Sequence, residues 1–327
     1  MQTRATQRGL QLTELGLGAA QLGNLFRVTT EQEVVETVEA AWSAGIRYFD
    51  TAPHYGVGLS ERRLGEQLRA RPRDEFVISS KVGRLLVPSP ETAGQRDPNG
   101  FDVPADPKRI WDFSRDGILR SVEATLERTG LDRIDIFYLH DPDDHFEQAS
   151  SEGIQALIEL REQGVVRGVG AGMNHSAPLA ELIRRADIDL VMVAGRFTLL
   201  EQDALDDLVP LALEREVGVV VAGVFNSGLL SSDRPAPGAT FAYEPAPPAM
   251  IDRAHRIADI CEAHGVTLPV AALAYPLLNP AVTSVVVGAR GTNQVLQNVE
   301  RYSAAVPVAL WTDLHSAGLI PALPPGI

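Results

Sequence analysis

The stretch from Ile46 to Lys81, IRYFDTAPHYGVGLSERRLGEQLRARPRDEFVISSK, holds two short apolar runs separated by an amphipathic segment. IRYF, ending at Asp50, and FVISSK, ending at Lys81, have the length and the β-branched and aromatic content of buried strands. LSERRLGEQLRA between them repeats its apolar residues at helical spacing. A strand, a helix and a second strand of this size form a βα repeat with parallel strands.

The same unit recurs towards the C-terminus. A first strand lies near Leu15 to Gly18, and the helix after it opens at Thr30 with Glu33 at capping-box spacing and closes at Gly45. The helix SRDGILRSVEATLERTG leads to the strand RIDIFYLH. Helix 151–163 then precedes VVRGVG, helix 176–187 precedes DLVMV, and helix 202–215 precedes VGVVVAG. Helices over 250–264 and 269–278, the strand SVVVG and a helix over 291–303 complete the series. Eight strands alternating with helices predict an α/β fold of the (β/α)8 TIM-barrel type, one domain over residues 1–327. An open doubly wound sheet is the alternative. Two long loops, 82–113 and 231–249, interrupt the rhythm with Pro, Gly and Asp. Both follow strand C-termini, the end where barrel enzymes build their sites, so both are expected to cover substrate or cofactor. The tail PALPPGI is expected to be irregular.

A formal charge of −14 repels a phosphate backbone, and no basic stripe offsets it, so no nucleic-acid partner is expected. No run approaches the roughly 20 apolar residues that span a bilayer, and the N-terminus lacks a signal-like apolar core. A soluble, cytoplasmic chain with no membrane partner is the expectation. The oligomeric state leaves no mark in the sequence. Cys261, on the apolar face of AHRIADICEAHG, reads as a small buried hydrophobe.

Four residues stand at or just beyond successive strand ends: Asp50, Tyr55, Lys81 and His140. In a barrel those ends converge on one mouth. Lys81 is one of only two lysines against 27 arginines, and it directly follows a buried strand. A buried ammonium needs a partner, and Asp50 is the obvious one. The group suits hydride transfer at a carbonyl or alcohol carbon. Tyr55 would exchange the proton, with Lys81 expected to lower the phenol pKa from its ordinary value, Asp50 to hold Lys81, and His140 to orient the substrate oxygen.

IRYFDTAPHYGVGLSERRLGEQL also resembles the signature around the catalytic Asp and Tyr of the aldo-keto reductases. SSKVG resembles the lysine segment of that family and LDRIDIFYLHDPD its histidine segment; the likeness continues through GVVRGVGAG, AGRFTLLEQ, FNSGLL and VVVGARGTNQVLQNVE. The resemblance implies the barrel, a nicotinamide cofactor, and the roles just argued for the four residues. Within the family, AGRFTLLEQ, VFNSGLL and the insertion after KVGR resemble the branch of D-threo-aldose (L-fucose) 1-dehydrogenases and pyridoxal 4-dehydrogenases. That branch implies oxidation of C1 of an aldose to its lactone, with pyridoxal oxidation or general aldehyde reduction as alternatives. The partner would be a small sugar or aldehyde, and His54, Phe101, Trp111 and Arg196 join His140 as candidates for its pocket.

The cofactor residues that the resemblance implies are Gly18, Ala19 and Asp50, then Asn174 in GAGMN, then Phe225, Asn226, Ser227, Gly228 and Leu230 after strand seven. Gly288, Arg290, Gln294 and Asn298 complete them in the last βα unit. Asn174 stands in for the usual Ser-Asn pair, Phe225 for the aromatic that often stacks on nicotinamide, and the usual Gln on strand six is replaced near Gly195. Gln294 falls where an Arg often grips a 2′-phosphate, so either NAD or NADP is expected, with NAD slightly favoured.

Three other readings compete. HDPDDH (His140, Asp141, Asp143, Asp144, His145) concentrates metal-ligand side chains, but all lie in one loop with Pro142, whereas metal barrels draw ligands from several strands, and no metal is expected. Lys81 as an aldolase Schiff base is disfavoured because Asp50 would keep the amine protonated. A cofactor-binding regulatory subunit without turnover is disfavoured by the complete catalytic group.

Overall fold

In IFYLH the side chains alternate, Ile136 and Tyr138 pointing into one apolar cluster and Phe137 and Leu139 into another, as a strand buried on both faces requires. The computed structural model of the chain, which describes every residue except 237, 242, 243 and 324–327, arranges eight such strands in a closed barrel. They are β1 (Leu15–Gly18), β2 (Tyr48–Asp50), β3 (Val77–Val82), β4 (Ile136–His140), β5 (Gly168–Met173), β6 (Leu190–Ala194), β7 (Gly218–Ala222) and β8 (Val282–Gly288). Each pairs in parallel with the next, and β8 returns to β1 with Val285 opposite Leu15. The outer layer is α1 (Glu31–Ser43), α2 (Leu59–Leu68), α3 (Arg115–Thr129), α4 (Ile154–Glu162), α5 (Ser176–Arg185), α6 (Leu208–Glu214), α7 (Pro248–Ala263), α8 (Leu268–Leu277), α9 (Gly291–Ser303) and α10 (Val308–Ser316).

Two apolar clusters result. The larger lies between strands and helices; the smaller fills the barrel with Tyr48, Val77, Ile136, Tyr138, Leu190, Met192, Val220 and Val286. Gly16 makes room for the Tyr48 ring, because a Cβ there would lie 2.8 Å from it. The capping box at Thr30 and Glu33 is present, with both reciprocal bonds made.

Several expectations need correction. The helix expected over 202–215 is regular only from Leu208 to Glu214. Asp207 accepts a hydrogen bond from the Leu208 N–H at 2.5 Å and so starts the helix there, which puts Pro210 in the first turn, where its missing N–H costs nothing. Helix 151–163 starts as α4 at Ile154, after a π turn over Ala149–Gly153. The loop 82–113 is not irregular throughout: Arg84–Val87 and Lys108–Trp111 pair as an antiparallel ribbon. In the loop 231–249, Thr240–Phe241 pairs with Glu244–Pro245, while residues 237, 242 and 243 lie outside the described residues. Of the tail, 321–323 are irregular and 324–327 lie outside the described residues.

Two elements escaped the sequence reading. A hairpin of Thr3–Ala5 and Gln11–Thr13 closes the bottom of the barrel and inserts Leu10 and Leu12 into the inner cluster. Its three-residue strands are too short to show a period. α10 packs Trp311 against Tyr275, ring centroids 6.0 Å apart.

Candidate active site

The segment after β2 must turn sharply to bring Tyr55 over the barrel mouth, and two glycines allow it. Gly56 has φ +62°, and a Cβ on it would sit 2.2 Å from the Gly23 carbonyl oxygen; only glycine permits both. The string SERRLGE that follows fixes this turn from outside. Ser60 donates to the Ala19 carbonyl (2.7 Å), and Arg63 donates to the Leu22 carbonyl and Asn24 (both 2.8 Å). Glu61, fully buried, accepts from Ser80, Thr125 and Arg128 and so ties α2 to β3 and α3. Gly65 lets α2 meet α3, since a Cβ there would lie 2.1 Å from the Thr129 carbonyl oxygen.

Asp50, Lys81 and His140 occupy inward positions at the ends of β2, β3 and β4, and all are buried. Lys81 Nζ lies 2.7 Å from Asp50 Oδ2, 3.0 Å from the Thr51 carbonyl oxygen and 3.1 Å from the Tyr55 hydroxyl oxygen. An ammonium has three N–H donors, and each is used. Tyr55 accepts from Lys81, so its own proton points elsewhere.

The expected fall in the Tyr55 pKa does not occur in the protein alone. Burial pushes it up to about 12; Lys81 works against that rise, and Asp50 adds to it. Desolvation of the phenolate outweighs one ammonium whose charge Asp50 already offsets. Lys81 stays charged: burial disfavours the ammonium, but Asp50 and the Tyr55 oxygen outweigh it and hold its pKa above the ordinary lysine value.

His140 is neutral. Burial drives its pKa well below the ordinary value, and Arg84 and Lys81 push the same way. Its Nδ1 is buried without a partner, and its ring stands edge-on to Tyr55 at 6.0 Å. Arg84 donates to the His140 carbonyl (3.3 Å) and pairs with Asp141 (2.6 Å). His54 packs edge-on against Phe101 and His140, with centroids 5.4 and 5.5 Å away, and burial holds its pKa down to about 2. The insertion keeps these rings in place. Its buried Arg109 and Asp97 form a bidentate pair at 2.6 and 2.9 Å, and Arg109 also donates to the His54 carbonyl at 2.7 Å.

Around this group lies a cavity of about 600 Å³, within the range of small-ligand clefts. Of the residues singled out in the sequence, Gly18, Asp50, His54, Tyr55, Lys81, Phe101, His140, Asn174 and Gly288 line it. Gln21, Leu25, Phe26, Asn99, Asp141, Met173 and Met192 also line it and were missed; apart from Asp141, they carry no motif that a reading of strand ends would notice. Gln21 folds over Gly288, where a Cβ would meet its amide at 2.4 Å, and its Oε1 is buried without a partner.

Other expected residues lie outside this lining. Trp111 is exposed on the ribbon, 5.4 Å from the Arg84 guanidinium. Arg196 donates to the Asn174 carbonyl at 3.0 Å and thereby braces the end of β5. Ala19 donates its N–H to the Asp50 carbonyl, so it acts through its backbone. Phe225 sits under Arg301 at 5.5 Å, and Asn226, Ser227 and Gly228 form a tight turn in which Asn226 and Ser227 have positive φ, with Leu230 buried behind it. Asn298 accepts from Arg301 at 3.3 Å, and Arg301 donates to the Ser231 carbonyl, which fixes that turn. Arg290 donates to Thr29 (2.8 Å) and the Leu25 carbonyl (2.7 Å), while Gln294 accepts from the Arg290 N–H at 2.8 Å and caps its own helix. HDPDDH is drawn apart: Asp141 goes to Arg84, Asp143 to His175 at 2.8 Å, and the His145 ring packs on Phe113. Among the described residues no three His, Cys, Asp or Glu side chains converge to hold a metal ion. Among the same residues no single helix is long and apolar enough to cross a membrane.

The Aldo/keto reductase family model matches residues 14–314. The chain is 48% identical over 320 residues to D-threo-aldose 1-dehydrogenase of Pseudomonas sp, covering 97% of each chain. It is 38% identical over 331 residues to pyridoxal 4-dehydrogenase of Microbacterium luteolum, covering 95% of this chain and 96% of that one. The solved structure of an aldo-keto reductase from Bacillus halodurans in its holo form superposes with a TM-score of 0.75 at 27% identity, over 100% of this chain and 99% of the other.

Proposed function

Because the chain belongs to the aldo/keto reductase family and is an oxidoreductase, we propose that it oxidises C1 of a cyclic aldose to the lactone and uses NAD⁺ at least as readily as NADP⁺. The observation that carries this reading is the Lys81 ammonium, bonded at once to Asp50 and to the Tyr55 hydroxyl on the floor of the cavity. Similarity to a D-threo-aldose 1-dehydrogenase supports the substrate class.

The residues fit a nicotinamide nucleotide. Gly18 and Gly288 bring bare backbone to the cavity wall at β1 and β8, and Gln21 Oε1 and the Asn174 amide offer an acceptor and a donor there. A bound oxidised nicotinamide supplies the acceptor for the C1 hydride and a positive charge. Tyr55 takes the proton of the anomeric hydroxyl as the C–O double bond forms, and Lys81 stabilises the phenolate from which it acts. His140, neutral, hydrogen-bonds the substrate oxygen and orients it. Phe101 and His54 wall the pocket against water, which strengthens each of these interactions. In aldehyde reduction the same phenol gives its proton back.

Both cations near the N-terminus of α9 are engaged. Arg290 is tied to Thr29 and Leu25, and Arg27 pairs with Glu33 at 2.9 Å. The protein's own contacts hold both guanidiniums in place and Glu33 offsets the charge of Arg27, so an additional phosphate gains less from them than from an uncompensated pair, which supports the preference for NAD⁺.

A panel of aldoses and pyridoxal with each nucleotide, read at the reduced nicotinamide absorbance, tests the proposal. Turnover of an aldose with lactone as product is expected. Turnover of pyridoxal alone would replace the substrate class, and nucleotide binding without any turnover would mark a regulatory subunit.

A further inference from the structure

The two serines before Lys81 point in opposite directions. Ser80 faces outward to Glu61 at 2.8 Å, while Ser79 faces into the barrel and donates to Asp50 Oδ1 at 2.8 Å. Beyond Ser79 the contacts continue inward: Tyr48 Oη lies 3.0 Å from Ser79 Oγ and 3.3 Å from Tyr138 Oη. All three side chains are fully buried.

Proton counting fixes the direction of this chain. A carboxylate has no proton to give, so Ser79 must donate to Asp50. A hydroxyl has one proton, so Ser79 can only accept from Tyr48, and Tyr48, having given its own, can only accept from Tyr138. Every O–H dipole therefore points its positive end towards Asp50. Burial holds both phenols above the ordinary tyrosine pKa, which keeps them protonated as donors.

We propose that Tyr138, Tyr48 and Ser79 are positioning residues whose one-way hydrogen-bond chain offsets the charge of Asp50 and so sets how readily Tyr55 gives up its proton. The inference rests on the reading of Tyr55 as the proton-exchanging group. Asp50 favours the protonated form of Tyr55. The positive ends of the three dipoles counter it, so removing a hydroxyl makes the site more negative and raises the Tyr55 pKa. The other groups facing Tyr55 are Lys81, Asp141 and Arg84, with the neutral His54 and His140 and, behind them, Arg109; Asp189 acts on Tyr138 at the far end of the chain. None of these is altered by the substitutions below.

The test uses Ser79→Ala, Tyr48→Phe, Tyr138→Phe and the double variant Tyr48→Phe/Tyr138→Phe; the phenylalanines keep the rings that fill the barrel. Two measurements are made on each: the pH profile of kcat for oxidation, and the alkaline titration of Tyr55 by NMR with isotope-labelled tyrosine, assigned by loss of the signal in Tyr55→Phe. Ser79→Ala is expected to raise the apparent Tyr55 pKa by about 0.5 to 1, Tyr48→Phe by less and Tyr138→Phe by least. Tyr138→Phe should add nothing once Tyr48 has lost its hydroxyl, because the chain is already cut. Titration curves that superimpose on wild type, or a Tyr138→Phe shift undiminished in the Tyr48→Phe background, would overturn the proposal. If the NMR shifts appear in a protein that oxidises no aldose, the chain stands and the substrate reading fails.

Discussion

The Lys81 ammonium lies 3.1 Å from the Tyr55 hydroxyl oxygen, and yet the phenol is pushed up to about 12. Burial outweighs the neighbouring charge, so at neutral pH Tyr55 is an acid. In the proposed mechanism oxidation draws on the phenolate, so its rate should climb with pH and continue to climb into the alkaline range. The rate of aldehyde reduction, which needs the phenol, should stay level over the same range. Stopped-flow rates of the hydride step in both directions check this; two profiles with the same inflection near neutrality would contradict it.

Lys81→Met removes the charge that does most to pull the Tyr55 pKa down. Oxidation should then require a still higher pH, and at neutral pH it should fall by about 10²-fold or more. Stability should suffer less than the rate, because methionine fills the space, although Asp50 loses its ammonium and, among the described residues, keeps only Ser79 as a side-chain donor. Rate and denaturant midpoint, measured on one preparation, separate the two effects.

His140 is held well below the ordinary histidine pKa by burial, with Arg84 and Lys81 adding to the effect. No inflection of kcat should therefore appear between about pH 5 and 8, where an unperturbed histidine titrates. His140→Gln should raise KM and lower kcat without altering the shape of that profile. Its shape changing in the variant would show that His140 titrates during turnover.

Asp97 and Arg109 are buried together inside the insertion. Asp97→Asn leaves the guanidinium without a counter-charge and should cost about 3–5 kcal/mol in urea unfolding. Because Arg109 also holds the His54 carbonyl, KM for the sugar should rise more than kcat falls. An unchanged unfolding midpoint would mean that the pair is not structural.

The sequence showed the barrel and the residues that gather on the floor of its cavity plainly, and for a physical reason. Asp50, Lys81 and His140 stand at or next to the ends of buried strands that are short and mostly apolar, so a charged or ring-nitrogen side chain there stands out by residue type and position together. Tyr55 followed from its place five residues beyond Asp50, in a stretch that resembles a family signature. What the sequence concealed depends on contacts between distant segments. Nothing in KRIW, with its exposed Trp111, announces a ribbon strand until Arg84 is seen opposite it. Arg196, Phe225 and Gln294 have side chains suited to a ligand, but each already has a partner in the protein, and only three dimensions reveal it.

The coenzyme preference follows from those partners. Gln294→Arg would place a cation at the start of α9 and release the Arg290 N–H from its cap. Use of NADP⁺ should improve more than use of NAD⁺, by up to about fivefold for a single exposed charge pair worth roughly 0–1 kcal/mol. In the unmodified protein kcat/KM for NADP⁺ should not exceed that for NAD⁺. A preference for NADP⁺ of more than about tenfold, or roughly 1.4 kcal/mol, would reveal a phosphate clamp formed by Arg27 or Arg290.

Tyr55→Phe is the most direct test of the whole account, because it keeps the ring that packs against Phe101 and His140 and removes only the hydroxyl that Lys81 contacts. Single-turnover oxidation of the preferred aldose should slow by about 10²-fold to 10⁴-fold, while the fluorescence titration with reduced nucleotide gives an unchanged Kd. A hydride step at near wild-type rate in Tyr55→Phe would contradict the account, since the proton would then leave the substrate by a route that does not involve this phenol.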